Sequence, residues 1–427
     1  MTTTDALLAA LRAVLAVGSA ATLALWGYVL VLIDRSTRQV PTLRDGLALA
    51  ALRPPHGAVC VIVPAHNESR VIATIIRSLR AETYPELRVV LALDRCTDDT
   101  AALARAAIDG DPRFEVIEIA ECPDEWVGKV HALHAGFTRS RNAVAAPYLL
   151  FADADTAFSP GCIGAALALT VARGLDFASV HSTLTHDRWF ERVVQPAAAL
   201  ELMRQYPLAY ANGIGKLRPF ANGQFMLFTR AAYDAAGGHA SVHDSLIEDM
   251  DLARRIAAVG LRGGLFLADG LFHCRMYDEW PQFRRGWKRI FVGAAHRSAH
   301  RLRASAWRVR WLGSVLPLAT FAALVVGALS IAVDPVRGWT LVALALAAIA
   351  VWLYALLSVG AKAHAPPWIA PLHIVGAWLT ASLLREAAAD LDARTPTQWG
   401  GRAYPVRDAG PLRDAARAGR KGDPEPR

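Results

Sequence analysis

Cysteine is scarce in this chain, and its placement excludes two classes of protein. Cys60, Cys96, Cys122, Cys162 and Cys274 are odd in number, widely scattered and nowhere in a C-x-x-C pair. That argues against a disulfide framework and against a zinc site, and it fits a reducing compartment. Internal repeats are lacking too, which excludes a solenoid or propeller. The net charge of +8 and pI near 9.5 are not built from basic residues interleaved with aromatics, so no nucleic-acid partner is expected. The arginines gather beside apolar segments instead, a pattern suited to anionic headgroups or phosphorylated substrates.

Long stretches lack charge altogether. Ala13 to Ile33 carries none, and at about 1.5 Å per residue it crosses a hydrocarbon core of roughly 30 Å. A signal peptide is the competing reading, but the run exceeds an h-region and no A-x-A-like site follows before Asp34-Arg35. Trp311 to Val333 and Trp339 to Gly360 form a later apolar hairpin around Asp334-Pro335-Val336-Arg337, and a Pro-interrupted stretch runs from Pro367 to Leu384. Arg35, Arg38 and Arg44 follow the first span and Arg297, Arg301, Arg303, Arg308 and Arg310 precede the second, so the positive-inside rule puts the central region in the cytoplasm. The prolines in the last stretch favour an interfacial or re-entrant segment, with a cytoplasmic tail. The expected division is an anchor at 1–34, a catalytic domain at 35–290, a basic interfacial segment at 291–310, a hairpin at 311–361, a re-entrant segment and tail motif at 362–407, and a disordered end at 408–427.

Between the membrane segments the patterns alternate. Val59–Pro64, Leu87–Leu93, Phe114–Ile119 and Tyr148–Phe151 read as strands, and Ser69–Arg80 and Thr97–Ile108 as helices. A βαβα opening implies an α/β domain with a parallel sheet.

The strongest chemical signal is Asp153-Ala154-Asp155, directly after a buried strand. Carboxylates at i and i+2 share one side of an extended backbone and suit Mg²⁺ or Mn²⁺, with diphosphate oxygens completing the octahedron. The competing reading is an acidic turn capping the helix begun by Ser159-Pro160. Glu248-Asp249 opens a second helix. Ser245-Leu246-Ile247-Glu248 has the form of a capping box, so these acids either complement the helix dipole or make Asp249 a general base. Asp94, at the end of a strand, is placed to meet a base or ribose, whereas Thr97 and Asp98 read as caps. Lys129 is a candidate for donor phosphate, although a lone loop lysine is ordinarily solvated. Arg188 to Tyr210, with Trp189, Phe190, Leu202, Met203, Tyr206 and Tyr210, reads either as a membrane-facing helix that guides a lipid acceptor or, by default for such a stripe, as core.

Val61-Ile-Val-Pro-Ala-His-Asn-Glu68, Asp94 to Thr100, Asp153-Ala-Asp155, Gly223-Gln-Phe with Gly237-Gly238, and Glu248-Asp249 stand in the order seen in family-2 glycosyltransferases, which this chain resembles over roughly residues 58 to 290. More narrowly, Trp126-Val-Gly-Lys129 and His273-Cys-Arg-Met-Tyr277 resemble bacterial enzymes of carotenoid or hopanoid lipid pathways. The resemblance implies a GT-A-like fold, a Rossmann-like mixed sheet carried between N- and C-terminal transmembrane helices. It implies a UDP-sugar donor, Mn²⁺ or Mg²⁺, inversion at the anomeric carbon, and a lipid or lipid-linked acceptor at a bacterial-type cell membrane. By the same resemblance Pro64, Glu68 and Asp94 border the uridine, Asp153 and Asp155 face diphosphate and metal, and Asp249 is the base.

Two departures stand out. Leu93-Asp94 replaces the family's frequent pair of aspartates, and Gln282-Phe-Arg-Arg285-Gly286-Trp287 resembles Q-x-x-R-W with one residue added. Intact, that motif marks processive polysaccharide synthases; here Glu248, Gln282, Arg285 and Trp287 are candidates to meet the diphosphate and incoming acceptor. The competing reading of Trp280 to Arg310 is a basic amphipathic helix at headgroup level. A polysaccharide synthase and a catalytically silent scaffold are the rival functions, and a transporter is disfavoured by the uncharged spans. Gln398-Trp399-Gly-Gly-Arg402-Ala-Tyr404 resembles the W-x-G-R-x-Y ending of related membrane enzymes.

Overall fold

A computed structural model describes residues 3–206, 208–212, 219–395, 397–399 and 402–404. The longer helices are numbered here in chain order. Four strands, β1 (Val59–Ala65), β2 (Leu87–Asp94), β3 (Phe114–Ile119) and β4 (Tyr148–Ala152), run parallel and are joined through α3 (Ile72–Arg80), α4 (Thr100–Ile108) and α5 (Gly128–Arg139). Every residue of β1 is buried, as a central parallel strand covered on both faces requires, which is why it reads as an unbroken apolar run. Strands β5 (Phe177–His181), β6 (Phe225–Thr229) and β7 (Gly263–Leu267) complete a seven-stranded sheet of order β3-β2-β1-β4-β6-β5-β7. β6 runs antiparallel to both β4 and β5, so the sheet is mixed. The expected strands coincide with the observed ones to within a residue at each end, whereas the first two helices begin three residues later than their patterns.

Before the sheet come α1 (Thr3–Gln39) and α2 (Leu43–Leu52), and α6 (Cys162–Ala172) lies against α2. After β5, the expected aromatic helix divides into a short Trp189–Val193 turn and α7 (Gln195–Gln205). Then follow α8 (Glu248–Ala258), α9 (Trp280–Ala294), α10 (Ala299–Arg310), α11 (Leu316–Ser330), α12 (Pro335–Lys362) and α13 (His373–Asp392). A π-helical turn, Trp311–Val315, joins α10 to α11. Pro317 brings no N–H to the helical ladder, and a wider turn just before it accommodates the gap.

Four helical stretches, Asp5–Gln39, Ala299–Ser330, Pro335–Lys362 and Pro367–Asp392, are long and apolar enough to cross a membrane. α1, α11 and α12 form a bundle through Leu15, Ala323, Leu341 and Ala345, and a second cluster gathers Trp26, Trp352 and Leu356. At one end Arg12 donates to Ser330 at 3.0 Å and faces Asp334 at 3.9 Å; at the other, His364 meets Asp269 of the α/β domain at 2.9 Å. α13 is tied to that domain along its whole length. Arg192 lies over the ring of Trp368 just before it, the backbone at Gly376 abuts Val193, and Glu386, Asp390 and Asp392 pair with Arg284, Lys288 and Arg303. Residues 408–427 lie outside the described residues.

Candidate active site

The order of the parallel strands reverses between β1 and β4, and ligands in open α/β sheets bind at such a point, outside the carboxyl ends of the strands. A cleft of about 470 Å³ opens there. Pro64 enters it from the end of β1 and Glu68 from the loop that follows, Asp94 from the end of β2, and Asp153 and Asp155 from the turn after β4. Lys129 comes from the first turn of α5, Glu248 and Asp249 from that of α8, and Trp287 from α9.

Asp249 is held from both sides. Its Oδ1 accepts from the Met250 N–H at 2.7 Å and its Oδ2 from the Gly223 N–H at 3.0 Å. A Cβ on Gly223 would stand 3.3 Å from that oxygen and 3.4 Å from Lys129 Nζ, so glycine is what lets the backbone come this close. Burial, and then neighbouring Glu248, push the Asp249 carboxyl up to about 6, a range suited to a base at neutral pH.

The capping box does not form. Ile247 is the N-cap of α8, and Ser245 Oγ accepts from the Ile247 N–H and donates to Asp251. Glu248 turns instead to Lys129, a charge-assisted contact stronger than the backbone bond it forgoes. Lys129 is not solvated: its Nζ lies 2.7 Å from Asp153 Oδ1 and 2.8 Å from Glu248 Oε1. Burial alone would lower this ammonium, but the two carboxylates hold it well above the ordinary lysine value. Burial works against ionisation in each, yet Lys129 keeps Glu248 below its usual value while Asp153 stays raised.

Burial raises two further acids of the cleft. Burial, then Asp153 and Glu68, push Asp155 up to about 8, and burial, then Asp153 and Asp98, bring Glu68 to about 7. Asp155 Oδ1 is buried with no hydrogen-bond partner. An orphaned carboxylate oxygen beside a second carboxylate is a donor set that fits a hard divalent cation. Among the described residues no trio of His, Cys, Asp or Glu closes on one point, so other oxygens must complete any such coordination.

Asp94 lines the cleft with both carboxylate oxygens engaged by its neighbour, Arg95 Nε at 2.9 Å and Nη2 at 2.6 Å. Asp98 ties the first two loops together, accepting from the Thr100 and Ser69 N–H groups.

Gln282 and Arg285 lie outside the cleft, which corrects the expectation for both. The Gln282 side chain accepts from the Asp278 N–H, and Arg285 is exposed. From α9 the cleft is lined only from Trp287 onward, by Trp287, Arg289, Ile290, Gly293 and Ala294, and both residues precede that stretch. The residue added to the Q-x-x-R-W pattern is Gly286 itself, and any Cβ there would run into the Tyr277 ring. Tyr277 can lie against α9 only because this position is glycine. The arginine of α9 that lines the cleft is Arg289, one turn on, hydrogen-bonded to Tyr277. Arg289 and Asn222 escaped sequence reasoning, and Tyr277 and Gln224 stood in quoted motifs with no role given to them. Only the recurrence of arginine along α9 hints at the first.

A family model described as "Glycosyltransferase like family 2" matches residues 54–272. Among curated proteins, the 4,4'-diaponeurosporenoate glycosyltransferase of Staphylococcus aureus strain MRSA252 is 28% identical over 260 residues, 59% of this chain and 65% of that one. The chain thus spans about 65% of the length of the curated relatives it matches. Among solved structures, the mannosyltransferase PcManGT from Pyrobaculum calidifontis, in complex with GDP-Man and Mn²⁺, is 19% identical with a TM-score of 0.45, covering 79% of this chain and 98% of that one. Glucosyl-3-phosphoglycerate synthase from Mycobacterium tuberculosis is 17% identical with a TM-score of 0.38, covering 59% and 84%.

Proposed function

The chain belongs to the glycosyltransferase-like family 2, and from that premise we propose that it moves a sugar from a UDP-sugar to the hydroxyl of a lipid or lipid-linked acceptor at a membrane. The observation that carries this reading is the Asp249 carboxylate, pinned by two backbone N–H groups in the same cleft as the orphaned oxygen of Asp155. The relatives named for 4,4'-diaponeurosporenoate support an acceptor of that kind.

Asp249 takes the proton of the incoming hydroxyl as that oxygen attacks the anomeric carbon from the side opposite the leaving diphosphate, which inverts the centre. Asp155 and Asp153 would hold Mn²⁺ or Mg²⁺, which when bound offsets the charge growing on the diphosphate. Pro64, Glu68 and Asp94 border the nucleoside, and Lys129 fixes Asp153 and Glu248 in place before the donor arrives. Arg289, beside Asp153, is set to meet a phosphate oxygen. The exposure of Arg285 and the glycine before Trp287 support transfer of single sugars over a processive synthase. The three carboxylates retained in one cleft weigh against a silent scaffold. The arginines at the α/β-domain ends of α1 and α10, with α13 tied to that domain, support a cytoplasmic site and tail.

Two measurements follow. Detergent-purified protein given UDP- and GDP-sugars with Mn²⁺ or Mg²⁺ and a membrane lipid extract is expected to release UDP, more with lipid present and not at all with EDTA. No release from any donor would overturn the reading. Arg289→Ala is expected to lose about 10- to 100-fold in donor kcat/KM, the size of a charge-assisted hydrogen bond. Arg285→Ala should stay within about threefold of the parent, as exposed charges usually do; equal losses in both would return Arg285 to the site.

A further inference from the structure

Between α7 and α9 the cleft has an arm lined by Ala199 and Leu202 of α7, Tyr206 just past its end, and Ile290, Gly293 and Ala294 of α9, with the Tyr206 hydroxyl donating to the Ala294 carbonyl at 3.5 Å. Ala199 and Leu202 stand at i and i+3 and so share one face of α7. A neighbouring face of the same helix is turned to the membrane bundle, where Leu200 packs with Trp26 of α1 and Trp352 of α12. One helix therefore separates this arm from the apolar bundle. Five of the six wall side chains carry no polar group. A sugar or a phosphate seated there would lose its water and gain almost no hydrogen bonds in return, whereas a hydrocarbon chain meets only favourable contacts. Trp287, also lining the cleft, has a buried indole N–H without a partner, and an oxygen next to such a chain would satisfy it.

We propose that the hydrocarbon tail of the acceptor lies in this arm while its hydroxyl reaches Asp249, and that Ala199, Gly293 and Ala294 set the thickness of chain admitted. This rests on the transferase reading and adds where the acceptor binds and what selects it. Small residues leave the arm open where α7 and α9 come together. A Cβ on Gly293 would stand 3.4 Å from the Ile247 side chain, itself part of the cleft lining, so alanine fits there and leucine crowds the cleft beside the arm.

The test uses the full-length protein in detergent with hexadecanol carrying a mid-chain diazirine. Photolysis and peptide mapping are expected to place the label on α7 and α9, and Gly293→Leu or Ala199→Leu to lower that labelling at least fivefold. With the UDP-sugar that supports turnover, either variant should reduce the preference for hexadecanol over butanol, read as a ratio of kcat/KM, by about tenfold or more. Two positions on opposite walls keep the test open if one variant fails to fold. Label confined to α1, α11 and α12, or variants that alter neither labelling nor preference, would overturn the proposal. Label on α7 and α9 in a protein that turns over no donor would retain the arm and remove the transferase reading.

Discussion

Replacing Asp249 with Asn is expected to lower kcat by about 10²- to 10⁴-fold, the usual contribution of a positioned base. Both carboxylate oxygens already accept backbone hydrogen bonds, from Gly223 and Met250. An asparagine amide has one oxygen, so its NH₂ must face one of those N–H groups, and a melting curve should accompany the kinetics to separate this local cost from the lost base. The pH profile makes the assignment sharper. Because burial and Glu248 raise the Asp249 carboxyl to about 6, its working, ionised form prevails above that pH. In the parent, kcat should be level near neutrality and fall about tenfold per unit once the pH drops below 6. The Asn variant should have lost that limb, its residual rate no longer following the titration. A variant that keeps the acid limb would assign it to another group and remove Asp249 as base.

The second large effect concerns folding. Lys129→Met would leave Asp153 and Glu248 facing each other without their shared cation, and the side chains involved are only 18%, 26% and 5% exposed. Removing one partner from a buried ion pair typically costs about 3–5 kcal/mol, which in a domain of this size lowers the melting temperature by roughly 10 °C. The double variant Lys129→Met with Glu248→Gln should recover part of that loss, since one uncompensated charge goes with the lysine; a double-mutant cycle measures the recovery. A single variant that melts within a degree or so of the parent would mean that the three groups are not structurally coupled.

Lys129 also shows where the sequence stops being readable. The buried strands β1, β2 and β4 were plain because strands covered on both faces are continuous apolar runs bounded by turn residues, whereas β3, at the sheet edge and only partly buried, is interrupted by Glu115 and Glu118. Asp153, Asp155 and Asp249 could be singled out as candidates because they stand in short acidic spacings at the ends of predicted elements, beside a capping reading for each. A lysine in the first turn of α5, in contrast, carries no local mark of whether it meets solvent or two acids that the fold brings from β4 and α8. The same holds for Arg289 and Arg285, both basic and one turn apart on one helix: how far along α9 the cleft reaches decides which of them it meets, and no local pattern marks that. The capping box at Ser245 misled for a related reason, since a local pattern yielded to a partner distant in sequence. Gly286 looked like a spoiled motif until the Tyr277 ring occupied the space its missing Cβ leaves.

The way α13 is fastened bears on how the protein can be handled. The family-defining region stops at residue 272, and a cut before the later helices looks like a convenient way to obtain a soluble enzyme. Such a truncation would strip α9 of its backing. Phe283, Trp287 and Phe291 bury their rings in a cluster completed by Leu383, Leu384 and Ala387 of α13, and fully burying side chains of this size is worth roughly 1.5–3 kcal/mol each. Arg284 and Lys288 would at the same stroke lose Glu386 and Asp390. The wall that carries Arg289 and Trp287 is thus completed by α13, the last long helix among the described residues, and shortening the protein from its carboxyl end removes part of the cleft before it removes the membrane.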